Sequence, residues 1–275
     1  MQPTIAQALA SAQLDAVDAR VLLRHACGSD DAFLVAHAND KLSPAQSVQY
    51  AALVARRAAG EPVAYIVGTR EFFSLDFKVT PAVLIPRPET ELLVEIALER
   101  IAADRAAAVL DLGTGSGCIA IAIARHRPLA RVVAIDRSTA ALAVARENSV
   151  RHRASKLELR QSDWFSNVGA ERFDLVVANP PYVAAHDPHL QSGDLRAEPV
   201  DALSAGEDGL ECLRAIVASA PAYLNNGGVI AVEHGYDQAP RCRELLEATG
   251  LEEVFSRNDL AGMARVSGGV WLGQS

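Results

Sequence analysis

Cysteine is scarce and unpatterned in this 275-residue chain: Cys27, Cys118, Cys212 and Cys242 stand apart, with no C-x-x-C spacing. That argues against a thiolate zinc site or a disulfide framework and favours a reducing compartment, so a cytoplasmic location is expected. The amino terminus lacks a basic segment leading into an apolar core, and no secretory signal is expected. Long apolar runs are lacking too. The nearest approach, residues 106–124, is cut by Gly113, Gly115 and Gly117 into a short strand and a short helix, neither long enough for a bilayer. Positive charge is not in excess: a formal net charge of -8 offers no general attraction to polyanions. No internal repeat or low-complexity linker interrupts the chain. His186-Asp187-Pro188-His189 has no defined ligand set around it, and no metal is expected.

What is present supports a sizeable core, since half of the residues are hydrophobic. Residues 1 to about 60 are Ala-rich, with Leu14, Val17, Val21, Leu22 and Leu23 near helical spacing and Gly28 as a stop. Ser43-Pro44 opens a further helix, with Pro in its favoured first position. Phe72, Phe73, Leu75, Phe77 and Val79 then alternate around Ser74 as a strand or hairpin. Ile85-Pro86-Arg87-Pro88-Glu89-Thr90-Glu91 leads into a helix carrying Leu92, Leu93, Ile96, Ala97 and Ile101. Beyond residue 108 strand and helix patterns alternate to the end, which predicts an α/β domain whose mostly parallel sheet is covered on both faces.

Chemistry-bearing residues fall at four successive strand ends. Asp111-Leu112-Gly113-Thr114-Gly115-Ser116-Gly117 follows a strand and opens a helix, so its glycines can take positive φ and let a ligand approach the backbone. Asp136 ends the next strand, suited to accepting from two ribose hydroxyls. A third end carries Ser162-Asp163-Trp164-Phe165, where Trp164 can stack on an adenine ring and Asp163 can accept from an exocyclic amine. The fourth is Asn179-Pro180-Pro181-Tyr182, after the apolar run Leu175, Val176 and Val177. Its prolines keep the carbonyls of Asn179 and Pro180 out of a sheet ladder, leaving acceptors for the two hydrogens of a planar NH2 group. Tyr182 adds a face on which that group can stack. By itself this last motif also fits a rigid turn. The glycine loop also invites a dehydrogenase reading, but its glycines alternate and do not follow G-x-G-x-x-G.

Together these motifs resemble those of the class I S-adenosylmethionine-dependent methyltransferases. More narrowly, the chain resembles the bacterial peptide chain release factor glutamine N5-methyltransferases, the PrmC or HemK family. Tyr65-Ile66 with Gly68, Glu71-Phe72-Phe73, the segment from Ile85 to Glu91, Glu198-Pro199, Asp208-Gly209 and Glu233-His234-Gly235 carry the narrower likeness. Ser74, where Gly is expected, and the loosely matching stretch Leu260 to Arg265 depart from it.

The resemblance implies a doubly wound, mostly parallel seven-stranded sheet with a small helical domain joined by a β-hairpin. The expected boundaries are a helical substrate-recognition domain over 1–70, a hairpin linker over 71–84 and a cofactor-binding methyltransferase domain over 85–275. It implies S-adenosyl-L-methionine as cofactor, held by Asp111, Gly113, Thr114, Gly115, Ser116, Gly117, Asp136, Asp163, Trp164 and Asn179. The substrate would be the glutamine of a release factor's Gly-Gly-Gln loop, lined by Asn179, Pro180, Pro181 and Tyr182. Asn179, Pro180 and Tyr182 would be catalytic: the Asn179 side-chain oxygen and the Pro180 carbonyl each take one amide hydrogen, and Tyr182 fixes the amide plane. No general base is required, and neither a membrane nor direct nucleic-acid partner is expected. Two rivals stay open: a nucleic-acid amino methyltransferase acting on adenine N6 or guanine N2 through the same four residues, and a non-catalytic protein binder stabilised by the cofactor.

Overall fold

A computed structural model describes residues 2–273, which divide into two compact units, residues 2–69 with Ser192–Ala197, and Arg70–Gln191 with residues 198–273. The first unit contains α1 (Ile5–Ser11), α2 (Ala16–Cys27), α3 (Asp31–Ala36), α4 (Pro44–Ala58) and α5 (Val63–Val67). Side-chain caps set its boundaries. Thr4 and Ser43 each form a reciprocal capping box with the Gln three residues on, satisfying helix N–H groups that have no internal partner. Gly28 ends α2 in the left-handed conformation at φ 62°. Ile5, Leu22, Leu23, Leu34 and Leu53 form the core of this unit. The stretch Ser192–Ala197, distant in sequence, belongs to the same unit; Arg57 donates to Asp18 at 2.7 Å and to Asp194 at 2.6 Å. Nothing in the local sequence pattern signals that grouping.

A hairpin follows, of β1 (Thr69–Phe72) and β2 (Leu75–Lys78). Its two-residue turn places Phe73 and Ser74 at φ 51° and 59°, the primed geometry that suits the twist of paired strands. Ser74 thus holds a left-handed position usually given to Gly, helped by its N–H donating to Glu71 Oε1. The buried rings of Phe72 and Phe77 join the core beside the sheet, and Asn148 bonds both backbone groups of Lys78.

The remaining elements are α6 (Glu91–Arg100), β3 (Ala108–Leu112), α7 (Cys118–His126), β4 (Arg131–Asp136), α8 (Thr139–Arg151), β5 (Glu158–Gln161), β6 (Phe173–Ala178), α9 (Glu211–Ser219), β7 (Leu224–Glu233), α10 (Ala239–Ala248), β8 (Glu252–Asn258) and β9 (Ala264–Trp271). They build a seven-stranded sheet in the order β5-β4-β3-β6-β7-β9-β8, with β9 antiparallel to its neighbours. The doubly wound α/β architecture is therefore the observed one.

Period-two alternation divides the core between the faces. Leu175 and Val177 pack on the side of α6 and α7, while Val176 and Ala178 pack on the side of α9 and α10. Full burial of each such Leu or Val side chain contributes roughly 1.5–3 kcal/mol, which makes the central strands the stable frame of the unit. Strand order reverses between β3 and β6, opening a crevice at the carboxyl ends where α/β sheets receive ligands. No described helix is long and apolar enough to cross a membrane.

Candidate active site

At that crevice the chain leaves β3 through three left-handed glycines, Gly113, Gly115 and Gly117, at φ 71°, 55° and 83°. Side chains other than Gly are strained in such a run, so the backbone itself forms the wall. The Thr114 N–H donates to the Ile135 carbonyl at 2.8 Å, tying the loop to the end of β4. Asp136 receives the N–H groups of Gly115 at 2.9 Å and Ser138 at 2.8 Å, one on each carboxylate oxygen. Those bonds orient the carboxylate and leave further lone pairs for a diol.

The loop, Asp136 and the turn after β5 surround a cavity of about 380 Å³, within the range of small-molecule sites. Gly113, Thr114, Gly115 and Ser116 line it, together with Asp136, Asp163, Trp164, Asn179 and Pro181. The Trp164 ring comes close to Gly113: a Cβ built there would lie 3.4 Å from it. Trp164 itself sits at φ 43°, a left-handed conformation uncommon for a bulky residue. Among the described residues no group of three or more His, Cys, Asp or Glu is placed to hold a metal ion.

Four expected site residues do not line this cavity. Asp111 does not line the cavity; it lies fully buried beneath the loop, where Thr114 Oγ1 donates to its Oδ2 at 2.6 Å. Gly117 is the residue before α7, and a Cβ there would lie 3.0 Å from Ile121 and 3.2 Å from Ala145, so its smallness serves helix packing. Pro180 is buried and Tyr182 half-buried, and neither lines the cavity.

The acceptor side is built where β6 stops at Ala178, the last residue paired with β7. Among the described residues nothing donates to the Pro180 carbonyl. Asn179 Nδ2 donates to Thr90 Oγ1 at 3.0 Å, which leaves Oδ1 as the unused end of the amide. The Tyr182 hydroxyl donates to Glu233 Oε1 at 3.2 Å, and its carbonyl accepts from Gln238 Nε2 at 3.0 Å. Burial and the neighbouring Glu233 hold the Tyr182 phenol protonated well above its usual range. Arg87, which also lines the cavity, pairs with buried Glu198, whose other oxygen accepts the Ile85 N–H at 2.9 Å. Thr90, Arg87 and Glu233 carry no role on sequence grounds, and Glu198 is readable there equally as shaping the acceptor loop or as structural, although all four lie in motifs of the family likeness.

Burial dominates two carboxyls, pushing both Asp111 and Glu233 up to about 7 from ordinary values near 3.8 and 4.5. A raised acid binds its proton more tightly in the folded chain. The stability it contributes is full below the unfolded value and is lost as pH rises through about 7. Burial lowers His234, which acts in the opposite sense below its ordinary range. Without added cofactor, thermal unfolding should therefore show a higher melting temperature near pH 6 than near pH 8, by about 1 kcal/mol of stability per carboxyl. Asp111→Asn should flatten that slope, and a melting temperature rising with pH over the interval would contradict the assignment.

A model described as the methyltransferase small domain matches residues 88–194, and one described as the PrmC N-terminal domain matches residues 4–68. The chain is 52% identical over 272 residues to a release factor glutamine methyltransferase of Burkholderia pseudomallei (strain K96243), covering 97% of this chain and 95% of that one. Against a release factor glutamine methyltransferase of Bordetella pertussis (strain Tohama I) the identity is 50% over 262 residues, covering 95% and 97%. A solved methyltransferase from Pyrococcus furiosus superposes with a TM-score of 0.56 at 20% identity, over 80% of this chain and 98% of that one. A Thermus thermophilus 16S rRNA N2 G1207 methyltransferase, solved with AdoMet and guanosine, gives 0.54 at 22% identity, over 74% and 49%. These two structures share the fold.

Proposed function

The chain belongs to the release factor glutamine methyltransferase family, and we propose that its own cavity and the end of β6 carry out that reaction on the N5 amide nitrogen of the glutamine in a Gly-Gly-Gln loop. It is an S-adenosylmethionine-dependent enzyme that methylates release factor glutamine. Three observations fit the cofactor: a wall of left-handed glycine backbone, a carboxylate already oriented for a diol, and an aromatic ring beside the loop. Gly113 to Ser116, Asp136, Asp163 and Trp164 would hold it. Bound there, it supplies an electrophilic sulfonium methyl. Asp111 contributes from beneath the loop, through Thr114, and not by direct contact.

An amide nitrogen is a weak nucleophile because its lone pair is shared with the carbonyl. Asn179 Oδ1 and the Pro180 carbonyl each accept one of its hydrogens, turning the lone pair toward the cavity, and the Tyr182 ring holds the amide plane. Fixed dipoles and orientation supply the catalysis. The methylated nitrogen becomes acidic and loses its proton to water, so no base is assigned. The helical unit holds the release factor, and the working place is the cytoplasm.

The observation that carries this reading is the Asn179 amide: its donor end is taken by Thr90, so its acceptor end is the one presented beside an unladdered carbonyl. Incubating the protein with a release factor and S-adenosylmethionine, then mapping the product by mass spectrometry, should place one methyl group on the Gly-Gly-Gln glutamine. A methyl group elsewhere, or none, would refute it.

A further inference from the structure

Behind the acceptor wall, four side chains from three distant parts of the chain meet. Asn179 Nδ2 donates to Thr90 Oγ1, and the Tyr182 hydroxyl donates to Glu233 Oε1. Thr90 is 2% exposed and Glu233 not at all. Glu233 ends β7 one residue after the Val232 to Ala178 pairing, so sheet register alone brings it beside Asn179. The Thr90 hydroxyl lies close enough to favour the ionised carboxylate.

The two ends of a carboxamide have nearly the same shape and opposite hydrogen-bonding character. Asn179 therefore works as an acceptor only if something decides which end faces the substrate. An ionised Glu233 can only accept. It takes the protons of Thr90 and Tyr182, and the Thr90 oxygen is then left to accept from Asn179 Nδ2. A protonated Glu233 can donate to Thr90 instead, which frees the Thr90 proton for Asn179 Oδ1 and turns Nδ2 outward. Donor then faces donor at the acceptor amide.

Resting on the function proposed above, we infer that Glu233 is a positioning residue that sets the orientation of the Asn179 amide through Thr90 and the plane of Tyr182 through its hydroxyl. The other charged or titratable groups acting on this cluster are Glu89 before α6, Arg265 at the start of β9 and the Cys118 thiol at the start of α7. Arg265 is already paired with Asp259 at 3.0 Å and favours the ionised carboxylate, whereas Glu89 opposes it. Burial is the larger influence and holds Glu233 near 7, so the arrangement should fail on the acid side of neutrality.

The test compares wild type, Glu233→Gln, Thr90→Val and the double variant with a release factor as substrate, with cofactor affinity measured by calorimetry. Near pH 8, Glu233→Gln should lower kcat about 10- to 100-fold, the scale of a misplaced contact, while cofactor affinity stays within about twofold. Wild-type kcat should fall below about pH 7, and Glu233→Gln should lack that limb. Thr90→Val should match it, and the double variant should be no worse than either single one, because all act on one unit. A kcat for Glu233→Gln within about twofold of wild type, or the same acid limb in both proteins, would overturn the inference. Should Glu233→Gln not fold, full activity of Thr90→Val would overturn it equally. An active Asn179→Ala would instead sink the function proposed for the site, so the two failures are distinguishable.

Discussion

Asn179→Ala is expected to reduce methyl transfer by at least about 100- to 1,000-fold, the cost of removing one preorganised hydrogen-bond partner from a reacting group. The substitution deletes the side-chain oxygen that would meet one amide hydrogen, leaving that hydrogen desolvated and unpaired at a cost of about 1–3 kcal/mol. It also frees the amide to rotate away from the line of attack. Cofactor affinity should change far less, because the glycine loop, Asp136 and Trp164 make up most of the cavity wall and are untouched by the substitution. Single-turnover rates with a release factor, set beside calorimetric cofactor titration, would read both quantities. Turnover close to wild type would show that the end of β6 does not grip the acceptor.

Gly209→Ala should be nearly as damaging, although Gly209 does not line the cavity. Its φ is 72°, and a Cβ there would stand 2.4 Å from the Tyr182 carbonyl oxygen and 2.9 Å from Gln238 Nε2. That carbonyl already accepts from Gln238, so the clash falls on a pinned segment, and relief requires Tyr182 to move. We expect a stability loss of about 2–4 kcal/mol and a loss of turnover of about 100-fold, with cofactor binding retained. Gly169→Ala is the matched control. Gly169 has the same φ of 72° with nothing within 4 Å of the added carbon, so only the left-handed penalty of roughly 1–2 kcal/mol should appear. Equal melting temperatures and equal turnover for the two variants would show that the contact with Tyr182 is unimportant.

Much of this architecture is written in short-range patterns. Apolar runs such as Leu175 to Val177 are strands because β-branched residues buried on both faces have few other uses, and the glycines after Leu112 mark a loop that only backbone can line. Gly28, Ser43 and Pro44 bound helices for reasons confined to one turn of chain. The departures at Asp111 and Gly117 have a physical cause that spacing conceals. Both belong to the loop motif, yet one turns under the loop toward Thr114 and the other turns into the interface with α8.

The sequence by itself determined which elements form, in which order, and which chemistry gathers at the carboxyl ends of the strands, because propensity, periodicity and turn stereochemistry are local. Only the tertiary structure decided that Thr90 and Glu233 stand behind Asn179 and Tyr182, and that Ser192–Ala197 groups with the helices. Hydrogen bonds among buried polar groups depend on positions in space, and residues 90, 179 and 233 become neighbours only once the parallel strands are in register.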